Sequence, residues 1–448
     1  MKKHFESRSF WRTRFGFYMA AIGSALGLAN LWRFPYVVSE NGGGAFVLLY
    51  VLVAMIIGLP MLIAELMLGK ISRRSVVQAF ANFGPQYTWI GRFVVGLTIL
   101  VLAYYAVISG WVLYLLASFV TKALVPALPF TTSLKVLMDN GWLQLGVVSI
   151  HLLIGVLIIG KDLQEGLERW VSVMMPLFAL FLIMMLILSL SLPSALTSFR
   201  FLFYPDFSEL RPSSLIQAIG HVFFTLSIGF GVMITFGRYM SESDHIPSEG
   251  VRVAIVDTII SLIGILIVIP IAIGATNLQL SDPTLLFEAL PRFLNERSAG
   301  IYIGVVFFAC LYIAALSATI GLFESVVTNL MDRRQFSRAK AAWVCGVIAL
   351  LLATLPALSS STLQFVKIKG HTILELLDMI LINWLLPIVG AILAILVSRN
   401  LKGRREHFIN PKKMVSAELY SHWEFILKWV VPGLVLFAIL IQCFAWVG

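Results

Sequence analysis

The segment Gly23-Ser-Ala-Leu-Gly-Leu-Ala-Asn-Leu-Trp-Arg-Phe-Pro35 puts an amide, Asn30, and a guanidinium, Arg33, inside an otherwise apolar stretch. It begins helically, with Phe15, Tyr18, Met19 and Ile22, and then meets small residues, Asn30, Arg33 and Pro35. A membrane helix cannot break its hydrogen-bond ladder against lipid, so such a break faces protein or a wet cavity. Carbonyls freed at the break can hold a cation. Amides freed at the start of the following half-helix can hold an anion. A small zwitterion together with a metal ion is the ligand pair that this chemistry suits.

A second break lies in Phe223-Phe-Thr-Leu-Ser-Ile-Gly-Phe-Gly231, where Gly229 and Gly231 flank Phe230. Each glycine costs about 1 kcal/mol against alanine inside a helix. Taken alone, the two glycines also suit a packing face. A carboxylate, Asp257, lies in the apolar run Val256-Asp-Thr-Ile-Ile-Ser-Leu. Intramembrane carboxylates are costly and generally functional.

The elements that must position these residues follow from composition. The chain has 448 residues, 59% of them hydrophobic and 12% charged, with a mean hydropathy of +0.92. Soluble domains carry roughly twice that charge, so the expected class is an all-α integral membrane protein. Apolar runs of spanning length fall near 14–38, 43–69, 90–121, 142–160, 170–191, 213–238, 252–276, 300–331, 339–357, 371–398 and 422–447. That predicts eleven transmembrane helices. Broken helices at one and six predict a five-plus-five inverted repeat with a midplane site. The whole chain, 1–448, is then a single transmembrane domain. Its first repeat is 1–191, its second 213–398, and span eleven is 422–447.

The net charge of +10 does not point to nucleic acid, because the basic residues cluster in loops beside the spans. Of the 33 Lys and Arg, the side opposite the N-terminus holds Lys122, Lys135, Arg200, Arg211, Arg292, Arg297, Lys367 and Lys369, and most of the others fall on the N-terminal side. That asymmetry predicts a cytoplasmic N-terminus, an outside C-terminus and a place in the cell inner membrane. Arg12 and Arg14 lead straight into a long span, so no cleavable signal is expected. Cys310, Cys345 and Cys443 all fall in apolar stretches and read as core residues. There is no metal-ligand cluster of His and Cys, no nucleophile–base spacing and no phosphate loop, so an enzyme is not expected.

With Trp11 to Pro35, Glu40-Asn-Gly-Gly-Gly-Ala-Phe46, Gly58-Leu-Pro60, Glu65, Tyr104-Tyr105, Phe223 to Gly231 and Ala314-Ala-Leu-Ser317 in hand, the chain resembles the neurotransmitter:sodium symporter family, in its bacterial amino-acid-transporting branch. The resemblance runs from span one to span eleven. It implies a first sodium site of the Ala25 carbonyl, the Asn30 side chain, Thr225 and Asp257. A second would use the carbonyls of Gly23, Leu26 and Ala314 with Ser317. There the partner hydroxyl is replaced by Ala318, and Thr319 lies about 100° further round the helix, so one or two sodium ions remain open. Taken singly, Asn30 and Thr225 also suit an interhelical bond and a back-bond within the helix.

The resemblance further implies a substrate site of Ser24, Gly27, Leu28, Ala29, Val101, Tyr105, Phe224, Ser227, Phe230 and Leu322. Its monoamine carriers bear Asp where this chain has Gly27, which leaves space for a substrate carboxylate. The expected cargo is a neutral, mainly apolar amino acid. For Val101, Phe224, Phe230 and Leu322, ordinary core packing is nearly as good an account. Chloride is not expected, because Asp257 supplies a fixed negative charge. His221 is either a packing residue or a titrating group near the ions. Arg33 with Asp378 would close the outer side, and Arg8 with Asp332 the inner side, near Trp11 and Tyr239. Glu65 would accept bonds from the broken backbone. The alternatives to sodium symport are proton coupling and a non-transporting amino-acid receptor. Whether the protein is a monomer or a dimer stays open.

Overall fold

The computed structural model describes residues 10–127, 134–274, 285–295, 297, 299–400 and 417–447. Among these, helices account for the regular structure, and the one β feature is an isolated bridge between Ile368 and His371. The apolar runs form helices because every backbone group in such a stretch must find its partner within the chain.

Among the described residues, nine helices are long and apolar enough to cross a membrane: Gly44–Ser72, Pro85–Leu124, Gly141–Ile159, Gln164–Leu190, Ile246–Gly274, Gly300–Arg334, Arg338–Leu358, Ile373–Asn400 and Glu418–Cys443. In the order read from the sequence these are spans two to five and seven to eleven. Span one is a bent pair, Arg14–Ala25 and Ala29–Glu40, with 42° between the halves. The region of span six holds two short helices, Pro212–Thr225 and Val232–Arg238. The expected total of eleven therefore rests on counting that short pair as one crossing. Span seven starts at Ile246, ahead of the expected 252. Glu249 and Arg252 lower the local hydropathy, yet Ile246, Pro247, Glu249 and Gly250 are buried in the helix's first turns.

Spans one, two, five, ten and eleven each carry a π turn, at Ala29–Arg33, Ala54–Gly58, Gln164–Glu168, Met379–Leu385 and Ile426–Val430. Such turns widen the helix by one residue and often mark functional positions. No hydropathy pattern reveals them. Span two and the second half of span six cross closely: a Cβ on Gly69 would lie 1.9 Å from the Ile234 carbonyl, and one on Gly237 2.3 Å from that of Leu66. Small residues at the crossing permit that approach. The residues at both breaks are buried. Span five turns Leu180, Ile183, Met184 and Ile187 outward.

Candidate functional site

The first half-helix of span one ends at Ala25, with Leu26 outside helical geometry at φ −82° and ψ 73°. Small residues from Gly23 to Ala29 offer little side-chain packing to hold the helix, and Pro35 sits in the first turn of the helix Phe34–Glu40. In span six the chain leaves the helix after Thr225. Gly229 (φ 86°) and Gly231 (φ 69°) take left-handed geometry, and so does Ser227 (φ 53°). That conformation is uncommon for a residue with a Cβ. Ser227 is held there by its own hydroxyl, which donates to the Ser24 carbonyl at 2.9 Å and lies 3.1 Å from the Ser24 hydroxyl. One serine pair thus ties the two breaks together.

The freed backbone groups find partners. The Gly229 N–H donates to Glu65 Oε1 at 2.6 Å, and Glu65 is fully buried. The Phe230 carbonyl accepts from Thr98 at 2.6 Å and Ser325 at 3.1 Å. The Leu28 N–H donates to the Tyr105 hydroxyl at 2.8 Å. A buried backbone group without a partner costs about as much as a lost hydrogen bond, so these side chains make the breaks tolerable.

Between the breaks lies a small, mostly apolar cavity. It is lined by Ser24, Ala25, Gly27, Ala29, Val101, Tyr105, Phe224, Ser227, Phe230, Ala318 and Leu322. All the residues named for the substrate site line it except Leu28, whose amide reaches the wall through Tyr105. Phe224 stacks edge-on against both Tyr105 and Phe230, at 6.2 and 6.1 Å. A Cβ on Gly27 would lie 2.6 Å from the Tyr105 hydroxyl oxygen and 3.2 Å from the Ala318 methyl. Ala318 therefore faces this cavity as well as neighbouring Ser317.

Beside the cavity, Asn30 Nδ2 donates to Asp257 Oδ1 at 2.8 Å and to Ser261 at 2.7 Å. The Tyr50 hydroxyl donates to Asp257 Oδ2 at 3.2 Å. Asn30 Oδ1 is buried without a protein partner, so a hard oxygen donor is left over. Ala25 lies at the edge of the same region, and its carbonyl accepts the Gly27 N–H at 3.0 Å. The Thr225 hydroxyl lies 3.4 Å from the Val222 carbonyl, the helix back-bond, and the same side chain also meets Asp257 and Tyr50. His221 stacks on Phe34, with centroids 4.7 Å apart and planes 9° apart. Its Nδ1 accepts from Arg33 at 3.4 Å.

Of the second cation set, Gly23 and Ser317 meet: a Cβ on Gly23 would lie 2.2 Å from the Ser317 hydroxyl. That hydroxyl donates to the Met175 sulfur at 3.6 Å. Leu26 and Ala314 are both buried. Thr319 is turned away, to the Ala315 carbonyl and His151 Nε2.

Arg33 lies 3.5 Å from Asp378. Arg33 is 2% exposed, and the Tyr104 hydroxyl donates to the same carboxylate at 2.5 Å. Of the second expected pair, Arg8 lies outside the described residues. Asp332 pairs with Arg238 at 3.1 Å and accepts the Ser75 N–H. Tyr239 donates to Glu324 Oε1 at 2.7 Å, and Arg338 forks onto both Glu324 oxygens. Glu324 is wholly buried. Sequence reasoning passed over Glu324 and Arg338, although Glu324 is a carboxylate in an apolar run and Arg338 opens the next helix. Their separation across two spans hid the pairing.

The chain matches the family model described as the sodium:neurotransmitter symporter family over residues 8–133 and 127–447. It is 30% identical over 431 residues to an uncharacterized sodium-dependent transporter of Bacillus subtilis, YhdH, covering 94% of this chain and 95% of that one. It is 31% identical over 453 residues to an uncharacterized sodium-dependent transporter of Haemophilus influenzae, covering 96% and 97%. Its structure is similar to the crystal structure of MhsT in complex with L-phenylalanine, with a TM-score of 0.90 and 33% identity over 97% of this chain and all of the other.

Proposed function

The chain belongs to the sodium:neurotransmitter symporter family, and on that premise we propose that it imports neutral, mainly apolar α-amino acids with sodium by alternating access. Family members are multi-pass membrane transporters that use sodium, not enzymes. The observation that carries the substrate class is the cavity wall at Gly27. An unpaired carboxylate is wanting among the lining residues, so the negative charge in the site is left for the substrate to bring. The Leu28 amide and Tyr105 hydroxyl stand where a carboxylate would be received. Ser24 and Ser227 offer oxygen atoms to the ammonium. Val101, Phe224, Phe230 and Leu322 give the side chain an apolar seat. The bound L-phenylalanine of the related structure supports the same reading.

Sodium is cargo. The first ion suits Asn30 Oδ1 and Asp257, with the Ala25 carbonyl and Thr225 completing the shell once its hydroxyl turns from Val222. The second would lie among Gly23, Leu26, Ala314 and Ser317. Asp257 supplies the fixed negative charge, so chloride is not required. The N-terminus faces the cytoplasm and the C-terminus the outside of the inner membrane. Uptake of labelled amino acids into proteoliposomes, with sodium, proton and chloride gradients varied separately, tests this reading. Uptake that follows the proton gradient and ignores sodium would overturn it.

A further inference from the structure

The cytoplasmic end of span one is held by span five. Glu168 closes the π turn Gln164–Glu168 and is 5% exposed. Its Oε2 accepts the Arg12 N–H at 2.8 Å, and its Oε1 accepts the Thr13 N–H at 3.0 Å and the Thr13 hydroxyl at 3.2 Å. Thr13 is itself the N-cap of the first half-helix, accepting the Gly16 N–H at 2.9 Å. One carboxylate from another span therefore anchors the cap residue and sits at the positive end of the helix dipole. One turn earlier on span five, Gln164 donates to the Phe10 carbonyl at 3.1 Å.

The approach depends on a glycine. A Cβ on Gly16 would lie 2.1 Å from Glu168 Oε1. The contact repeats seven residues further along both helices: a Cβ on Gly23 would lie 2.9 Å from the Met175 sulfur. The seam therefore runs Gly16 on Glu168, then Gly23 on Met175, and ends beside Ser317. Its far end is the candidate second sodium site. A helix of twelve residues is a rod about 18 Å long, so moving its start moves the carbonyls from Gly23 to Leu26.

We propose that Glu168 is a positioning residue of the transport cycle. It locks the first half-helix of span one onto span five while the inner side is closed, and it must let go for that side to open. The proposal deepens the transporter reading and rests on it. The same segment has further grips: the Trp11 N–H donates to the Tyr239 carbonyl at 3.3 Å and its indole to the Phe236 carbonyl at 3.2 Å, and the largely exposed Arg14 pairs with Asp244 at 3.4 Å. The Trp11 bonds involve a neutral ring and backbone, and the Arg14 pair is exposed to screening. Glu168 is the buried carboxylate among the contacts, and loss of its charge weakens all three of its bonds together.

The test uses the full chain in lipid nanodiscs, followed by backbone hydrogen exchange. Glu168→Gln should speed exchange in the peptide covering residues 10–25 by about five- to tenfold, the size of effect a lost helix cap gives. Exchange in residues 88–124 should not change. In proteoliposomes the half-saturating sodium concentration should rise in step. Gly16→Ala, which pushes the carboxylate away from the other side, should do the same. In a Glu168→Ala background Gly16→Ala should add nothing further. Unchanged exchange in 10–25 overturns the proposal, and so does a uniform rise across the chain, which would mark a merely structural role. If Glu168→Gln does not fold, the Gly16→Ala arm decides alone. The exchange arm needs no transport, so failure of the uptake reading is seen separately, as a parent protein that moves no amino acid.

Discussion

Asn30 donates to Asp257 at 2.8 Å, which joins the break in span one to a carboxylate in the middle of span seven. The bond uses the amide nitrogen and leaves Asn30 Oδ1 buried and without a protein partner. The other Asp257 oxygen is taken by Tyr50. Both carboxylate oxygens thus accept from neutral donors, and the spare oxygen is on the same amide that meets the carboxylate. A buried charge is tolerated when it is paired, and on the proposed function that partner is a sodium ion.

Asp257→Asn should therefore lose most sodium-driven uptake, about tenfold or more, since charged hydrogen bonds are worth about 1.5–3 kcal/mol each. Replacing chloride by gluconate should leave the initial rate of the parent unchanged. In the variant, added chloride should restore part of the rate by supplying the missing charge. Initial rates in chloride and gluconate, for both proteins, check this. A chloride requirement in the parent would place the negative charge elsewhere.

Gly27→Asp should abolish amino-acid binding. The new carboxylate would stand beside that of the substrate, and its Cβ alone would lie 2.6 Å from the Tyr105 hydroxyl oxygen. Gly27→Ala separates the two effects, because it brings the crowding without the charge. It should weaken binding by about tenfold, in the range of 1–3 kcal/mol that overpacking costs. Scintillation proximity binding gives both values. Decarboxylated amines should compete poorly with the parent protein. Equal competition by amine and amino acid would sink the substrate class.

Much of this was legible in the chain because each break is written in local residue types. Gly229 and Gly231 mark the left-handed turns, and Asn30 and Asp257 are conspicuous as polar groups in apolar runs. What stayed hidden depends on how the helices pack. Glu324 and Arg338 meet between consecutive helices, and Asp332 meets Arg238 from span six. The π turns leave no hydropathy trace, because one extra residue per turn preserves the apolar run. Ala318 was read as a gap in an ion shell. Its helix phase also turns the methyl into the central cavity, which a list of ligands does not reveal.

The inner cluster gives a stability prediction. Glu324 is fully buried and accepts from Tyr239 and from both arms of Arg338. Glu324→Ala leaves a guanidinium uncompensated and should cost about 3–5 kcal/mol. Glu324→Gln keeps the shape and should cost less. Tyr239→Phe removes one neutral-donor bond to a charged acceptor and should cost about 1.5–3 kcal/mol. Thermal unfolding of the purified protein in detergent orders the three. An order with Tyr239→Phe worst would show that the Arg338 fork contributes little.

On the proposed function, Ser317 and Ala318 bear on how many sodium ions are carried. Ser317 lies against Gly23 at the seam with span five, and Thr319 is committed to His151 and its own helix. Ser317 is then the side-chain oxygen at the second site, and Ala318 contributes none. Loss of one ligand worth about 1.5–3 kcal/mol lowers affinity roughly ten- to a hundredfold. Ala318→Ser should reduce the half-saturating sodium concentration, and Ser317→Ala should nearly abolish coupling, since only carbonyls would remain. Because Ala318 also lines the central cavity, the new hydroxyl has two possible destinations, and two readouts tell them apart. A hydroxyl on the ion shifts the sodium dependence at fixed substrate. A hydroxyl in the cavity shifts substrate affinity at saturating sodium and leaves the sodium curve where it was. If Ala318→Ser and Ser317→Ala are both silent in sodium dependence, this site carries no ion. Coupling then rests on the site built by Asn30, Thr225 and Asp257, or on protons.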